Sequence, residues 1–288
     1  MKLTLLLLLS LFSFSVGAQT SYSGSIGPYP IQLVTYLYSD GDARALYAYD
    51  KFDTPIRING KKVGSRLELY ERNEQNVVTA TLRFENFNPK SSTISGTWVN
   101  KDGSKKLNIT LNKQFDAEGA TDFNQKELLQ AEATQTQYFK LLITKSQGDV
   151  RVTGVKVLEK KTDRLIQQID LDCQLMGLDN VSTGDFNFDG LEDFSVFEAS
   201  YAGPNTSSIY ILRLPGLEKY VVSSFTGTSL EFDAATKTIH EHNQCCAGRS
   251  HVNATYKVVN NKMVLIEKTC LEYDEEKDDF TEVKCDEN

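Results

Sequence analysis

The chain reads as a mainly β protein: two antiparallel β domains, each a meander forming a barrel or a sandwich, joined by a short helical linker after an N-terminal signal peptide. Three observations predict this. Short runs alternate apolar and polar residues, as in Leu67-Glu68-Leu69-Tyr70 and Leu107-Asn108-Ile109-Thr110-Leu111, and period two belongs to half-buried strands. Asp40-Gly41, Asn59-Gly60 and Asp102-Gly103 separate such runs; these dipeptides tolerate the positive φ of tight hairpins. Helix-favouring composition is confined to one middle segment.

The elements follow in order. Met1 and Lys2 precede an apolar run from Leu3 to Val16, and Val16-Gly17-Ala18 offers small residues for cleavage. This predicts a signal peptide over residues 1–18. The run is shorter than the ~20 residues that span a bilayer, and no later stretch is long and apolar enough, so no membrane insertion is expected. In the first domain, 19–114, strands are predicted at Ile31–Tyr38, Ala43–Tyr49, Ser65–Arg72, Val77–Phe84, Thr93–Val99 and Lys105–Leu111. A linker over 115–140 is expected to carry a helix at Lys126-Glu127-Leu128-Leu129-Gln130-Ala131-Glu132, because these residues rank high in helix propensity. In the second domain, 141–288, strands are predicted at Val150–Leu158, Leu165–Leu171, Phe194–Phe197, Ser208–Leu214, Tyr220–Phe225, Thr238–His242, Thr255–Val259 and Met263–Glu267, with Asn260-Asn261 as a tight turn.

The formal net charge is −8. Loss of the leader removes Lys2 and leaves 30 basic against 39 acidic residues. Without a basic cluster the chain lacks what phosphate attraction needs, which excludes nucleic acid as a partner. The acidic run Glu272–Asp279 reads as a solvated turn, with a second cation site as the alternative.

The five cysteines are Cys173, Cys245, Cys246, Cys270 and Cys285. An exported chain meets oxidising surroundings, so disulfides are expected. Cys270 and Cys285 flank a polar turn and suit a bridge; Cys173 is then expected to meet Cys245 or Cys246. Neighbouring cysteines rarely bridge each other, and an odd count leaves one thiol over. His240, His242, Cys245 and Cys246 have spacing that zinc also accepts, in competition with those disulfides.

Asp185-Phe186-Asn187-Phe188-Asp189-Gly190-Leu191-Glu192-Asp193 carries the strongest chemical signal. Calcium takes six to eight oxygen ligands in flexible geometry. Asp185, Asn187 and Asp189 alternate, so their oxygens face one side while Phe186 and Phe188 face the core. Gly190 permits the sharp turn, Leu191 offers its carbonyl, and Asp193 returns a carboxylate. Val196 stands where an EF-hand needs a bidentate Glu, and the flanks are strand-like. The loop is similar to the Asp-rich turns of integrin-type β repeats. The alternative is a metal-free Asp/Asn/Gly hairpin.

From Gly177 to about Glu267 the sequence resembles bacterial envelope proteins with a calcium-binding, lysozyme-inhibitor-like β fold. The resemblance rests on the Asp185–Asp193 loop, Ser208-Ile209-Tyr210-Ile211-Leu212, Leu230-Glu231-Phe232-Asp233 with Thr238-Ile239, and the hairpin Tyr256–Leu265. It implies calcium as the ion, a periplasmic or secreted location and a protein partner, some members being immunity proteins against peptidoglycan-degrading effectors. The first half resembles small β domains of envelope proteins, which implies location only.

No Gly-x-Ser-x-Gly, His-Glu-x-x-His or phosphate loop occurs, so a binding protein is expected ahead of an enzyme. The loops Tyr201–Ser207 and Asn243–His251 are the expected contact surfaces, with Tyr201, Asn205, Arg249 and His251 as candidate partner-binding residues. A structural or adhesive surface protein, or a hydrolase with an unrecognised site, are the alternatives. The oligomeric state is not legible in the sequence.

Overall fold

The computed structural model describes residues 18–52, 54–217 and 219–285; the expected signal peptide lies outside them apart from Ala18. Eight strands come first: β1 (Ala18–Ile26), β2 (Tyr29–Leu37), β3 (Asp42–Tyr49), β4 (Ile56–Val63), β5 (Arg66–Arg72), β6 (Val78–Phe84), β7 (Thr93–Asn100) and β8 (Lys106–Asp116). They pair antiparallel in sequence order, and β1 returns to β8, so the sheet closes into a barrel. Closure removes the exposed edges that β-sheets must otherwise protect. Leu67 and Leu69 of β5 and Ile109 and Leu111 of β8, the alternating residues seen in the sequence, fill the interior with Tyr22, Tyr47 and Phe84.

Asp40-Gly41 and Asp102-Gly103 lie in turns as expected. Asn59-Gly60 does not: both residues lie inside β4, paired with Tyr70 and Leu69. The turn to β5 falls at Gly64, φ +59°. Gly60 serves a close approach instead, since a Cβ there would stand 1.8 Å from the Glu68 carbonyl oxygen. β1 and β4 escaped the sequence reading because polar residues dominate them.

The expected helical linker is absent. Its residues form the end of β8, then β9 (Phe123–Ala133) and the start of β10 (Gln137–Ser146). β10 is buried along most of its length and needs hydrogen-bonded partners on both sides. β9 supplies one side, and Leu128 and Leu129, 0% and 2% exposed, enter the core from it. Burial of two leucines outweighs helix preferences of a few tenths of a kcal/mol per residue.

β9 and β10 continue into β11 (Asp149–Glu159) and β12 (Leu165–Gln174), in the sheet order β12-β11-β10-β9. A second four-stranded sheet holds β13 (Val181–Gly184), β14 (Asp193–Ser200), β15 (Thr206–Arg213) and β16 (Tyr220–Val222). The last sheet has five strands: β17 (Glu231–Asp233), β18 (Thr238–Cys245), β19 (Ser250–Val259), β20 (Lys262–Asp274) and β21 (Asp279–Val283).

β15 explains the layering. Ile209 and Ile211 join the core that contains Phe139, Val155 and Phe194, while Tyr210 and Leu212 join one that contains Phe225 and Ile239. Period two thus sends its two faces into two cores, and the β13–β16 sheet is the middle layer. Val34, Leu46 and Ala48, from β2 and β3 of the barrel, belong to the first of these cores. The barrel is also tied by the Gln19 side-chain amide, which donates to the Gly177 carbonyl at 3.1 Å, and by Arg57, paired with Glu132 at 2.7 Å and with Asp179.

Cys270 and Cys285 form the expected disulfide across β20 and the residues after β21, with Cα atoms 5.3 Å apart. The expected pairing of Cys173 with Cys245 or Cys246 is not made. Cys173 is fully buried in β12 among the core side chains, whereas Cys245 and Cys246 sit exposed at the end of β18.

Candidate functional site

The loop between β13 and β14 is built on backbone N–H bonds to its own side chains. Asp185 accepts from the N–H of Asp189 at 3.0 Å through Oδ1 and from that of Gly190 at 2.9 Å through Oδ2. Asn187 Oδ1 accepts from Asp189 at 3.2 Å, and Asp189 Oδ1 from the N–H of Leu191 at 2.8 Å. Phe188 at φ +61° and Gly190 at φ +88° make the curvature possible. Phe186 turns the other way, as its spacing predicts, with its ring 5.0 Å from Tyr210 and 4.8 Å from Phe232.

Asp193 begins β14 and is fully buried. Its carboxylate accepts from the N–H of Phe186 at 2.9 Å and from that of Arg213 at 2.7 Å. Burial pushes its carboxyl up to about 6; the two backbone bonds oppose this, and the charges of Asp189 and Asp185 add to it. Burial is the larger cause, and the two loop carboxylates are the smaller one.

Each carboxylate oxygen has two lone pairs, so one N–H bond leaves it able to accept again. Spare lone pairs on oxygens of one short loop are what a hard divalent cation takes up, and in that respect the residues fit calcium. The side chains are not drawn into a closed cage: among the described residues no group of three or more His, Cys, Asp or Glu side chains is gathered as a metal cluster. The same holds for the acidic run, where Lys277 pairs with Asp274 at 2.9 Å and Arg249 with Glu275.

The zinc set does not assemble either. His240 and His242 alternate along the exposed face of β18; the His240 ring lies 3.0 Å from Thr238 Oγ1, and His242 Nδ1 lies 2.7 Å from Asn253 Oδ1. These rings are held by hydroxyl and amide partners.

Sequence reasoning missed Asn261. It sits at φ +58° in the β19–β20 turn, and its Oδ1 accepts from Asn187 Nδ2 at 3.0 Å. Lys237 also approaches, 3.5 Å from the Phe188 carbonyl. The Asn260-Asn261 pair signalled the turn, but no local pattern signalled its contact with the Asp loop.

The two expected contact loops are joined to each other. Asn205 Nδ2 donates to Asn243 Oδ1 at 3.1 Å and to the Gln244 carbonyl at 2.7 Å, and its Oδ1 accepts the Gln244 N–H at 3.1 Å. Asn205 is buried, so it ties the loops from within and offers no exposed contact to a partner. Tyr201 is exposed, its hydroxyl 3.1 Å from Ser207 Oγ. Arg249 stacks over Tyr273, and half-buried His251 lies against Phe280 with ring centroids 4.9 Å apart.

No protein-family model matches the chain, and no curated protein matches it. Among solved structures, a porin-like protein from Bacteroides uniformis ATCC 8492 overlaps 93% of this chain and 96% of its own length, at 8% identity and a TM-score of 0.19, too low an agreement to bear on fold or function.

Proposed function

We propose that the chain is an exported binding protein whose loop from Asp185 to Asp193 takes calcium as a structural ion. Asp185, Asn187, Asp189, the Leu191 carbonyl and Asp193 supply the oxygens. The observation that carries this reading is geometric: the backbone of one short loop curls around the carboxylates of Asp185 and Asp189, and the carboxylate of Asp193 stands buried at its end. The ion's role is to stiffen the loop. Extracellular modules bind calcium at roughly 0.1–1 mM; at ~1 mM free calcium and a dissociation constant of ~0.1 mM, binding stabilises the fold by roughly 1.4 kcal/mol.

The joined loops 201–207 and 243–251 are the surface offered to a protein partner of the cell-wall hydrolase class. Acidic net charge supports that choice, because enzymes acting on anionic cell wall are commonly basic and opposite charge steers association.

Two measurements test this reading. Melting curves in calcium and in chelator should differ by several degrees, and Asp189→Asn, which keeps an acceptor for the Leu191 N–H, should erase the difference; identical wild-type curves would overturn the calcium assignment. Purified mature protein mixed with a panel of lysozymes should inhibit at least one of them, and full residual activity throughout would remove the hydrolase partner.

A further inference from the structure

The five cysteines leave one pair unexplained. Cys270 and Cys285 are bridged and Cys173 is enclosed, while Cys245 and Cys246 are adjacent and exposed. Successive side chains on a strand point to opposite faces, so adjacent cysteines ordinarily diverge. Here they converge. Cys245 is extended, at φ −131° and ψ −178°, but Cys246 switches to φ +57° and Ala247 to φ +55°. The switch swings the second side chain back onto the first, and the two Sγ atoms stand 2.6 Å apart. That is longer than the ~2.05 Å of an S–S bond and closer than two sulfurs rest without bonding.

The backbone around the pair is fixed on both sides. Asn205 holds Gln244 through two hydrogen bonds, immediately before Cys245. After the pair, the Arg249 N–H reaches the Cys246 carbonyl at 3.2 Å, and the Tyr273 N–H reaches the Arg249 carbonyl at 2.8 Å. A thiolate held beside a mixed disulfide displaces it far faster than a free thiol from solution would.

We propose that Cys245 and Cys246 are a redox modification site, at which a disulfide between adjacent residues closes in oxidising surroundings and opens in reducing ones. The closing reaction is thiol–disulfide exchange with a small disulfide such as glutathione disulfide. One cysteine thiolate attacks that disulfide and releases one glutathione; the neighbouring thiolate then attacks the mixed disulfide and releases the second. One S–S bond breaks and one forms. Two electrons pass from the cysteines to the oxidant, and the two thiol protons end on the two released glutathiones. Closure stiffens the β18–β19 turn, and through Asn205 it stiffens the loop 201–207 as well. It also accounts for the odd cysteine, which is Cys173.

Mapping of alkylated peptides tests this directly on the full chain. Native protein is treated with glutathione disulfide, alkylated with iodoacetamide and digested. The peptide holding Cys245 and Cys246 should carry no label and be two hydrogens lighter than its reduced form. Mild dithiothreitol before alkylation should let both residues take label, and Cys173 should react only after denaturation. In Cys246→Ser the second displacement is impossible, so Cys245 should retain one glutathione. Labelling of both cysteines after glutathione disulfide, a mixed disulfide retained by the wild-type chain, a peptide linking either residue to Cys173, or a disulfide-linked dimer would each overturn the proposal.

Discussion

Asn187 and Asn261 stand 74 residues apart in the chain and meet at 3.0 Å, the side-chain N–H of the first donating to the side-chain oxygen of the second. The bond joins the Asp-rich loop to the β19–β20 hairpin, and so joins the middle sheet to the last one. Around it, Phe186 and Phe188 pack on Phe232. The loop is therefore braced by an apolar contact on one side and a polar one on the other.

Removing that brace should separate loop order from overall folding. Asn261→Gly keeps the positive φ of the turn and deletes the amide. It should cost about 1 kcal/mol, the typical net value of one hydrogen bond, and should reduce the calcium-dependent rise in melting temperature. Urea unfolding with and without calcium measures both. An unchanged calcium response would mean that the hairpin does not support the loop.

A second expectation concerns the end of the barrel. Glu71 accepts from the Tyr47 hydroxyl at 2.5 Å and from Trp98 Nε1 at 2.7 Å, and burial beside Glu71 drives the Tyr47 hydroxyl well above its ordinary range. Glu71→Ala strands both donors; at about 1–3 kcal/mol for each orphaned group, stability should fall by about 2–6 kcal/mol. Trp98 is the single tryptophan, so its emission reports the same site and should shift to longer wavelength. Native emission and near-native stability would show that the carboxylate has another partner's task.

Acid sensitivity should have a source in the sheet β12-β11-β10-β9. Burial raises the Glu127 carboxyl, but the ammonium groups of Lys156, at 2.7 Å, and Lys140, at 3.2 Å, outweigh it and hold it below the ordinary value of 4.5. A folded-state value below the unfolded one stabilises above the unfolded pKa, and that contribution is lost as pH falls through the folded one. The melting temperature should therefore drop as pH is lowered from about 5, and Glu127→Gln should flatten this acid limb while lowering stability at neutral pH. Parallel acid limbs in the two proteins would assign the effect to other carboxylates.

Much of the architecture was legible locally. Alternation located Leu67, Leu69, Ile109 and Leu111, and all four face the barrel interior. Asp40-Gly41, Asp102-Gly103 and Asn260-Asn261 marked real turns. The spacing of Cys270 and Cys285 around a polar turn anticipated their bridge. In each case the signal and the structure lie within a few residues of each other.

What escaped depended on partners distant in sequence. The segment Lys126–Glu132 has helix-forming side chains, yet it became a strand because β10 required a neighbour and the core required Leu128 and Leu129. Asn59-Gly60 has hairpin chemistry, yet Gly60 was placed by the closeness of Glu68 on β5. Cys173 was separated from Cys245 and Cys246 by the layering of sheets. The sequence by itself determined strand periodicity, most turns and the Asp-rich loop, because backbone preference and side-chain alternation act over neighbouring residues. Barrel closure, the middle position of β15, the Asn187–Asn261 bond and the meeting of two surface loops at Asn205 were decided only by tertiary structure. Burial and hydrogen-bond satisfaction are properties of surroundings, and those surroundings exist only once remote strands have paired.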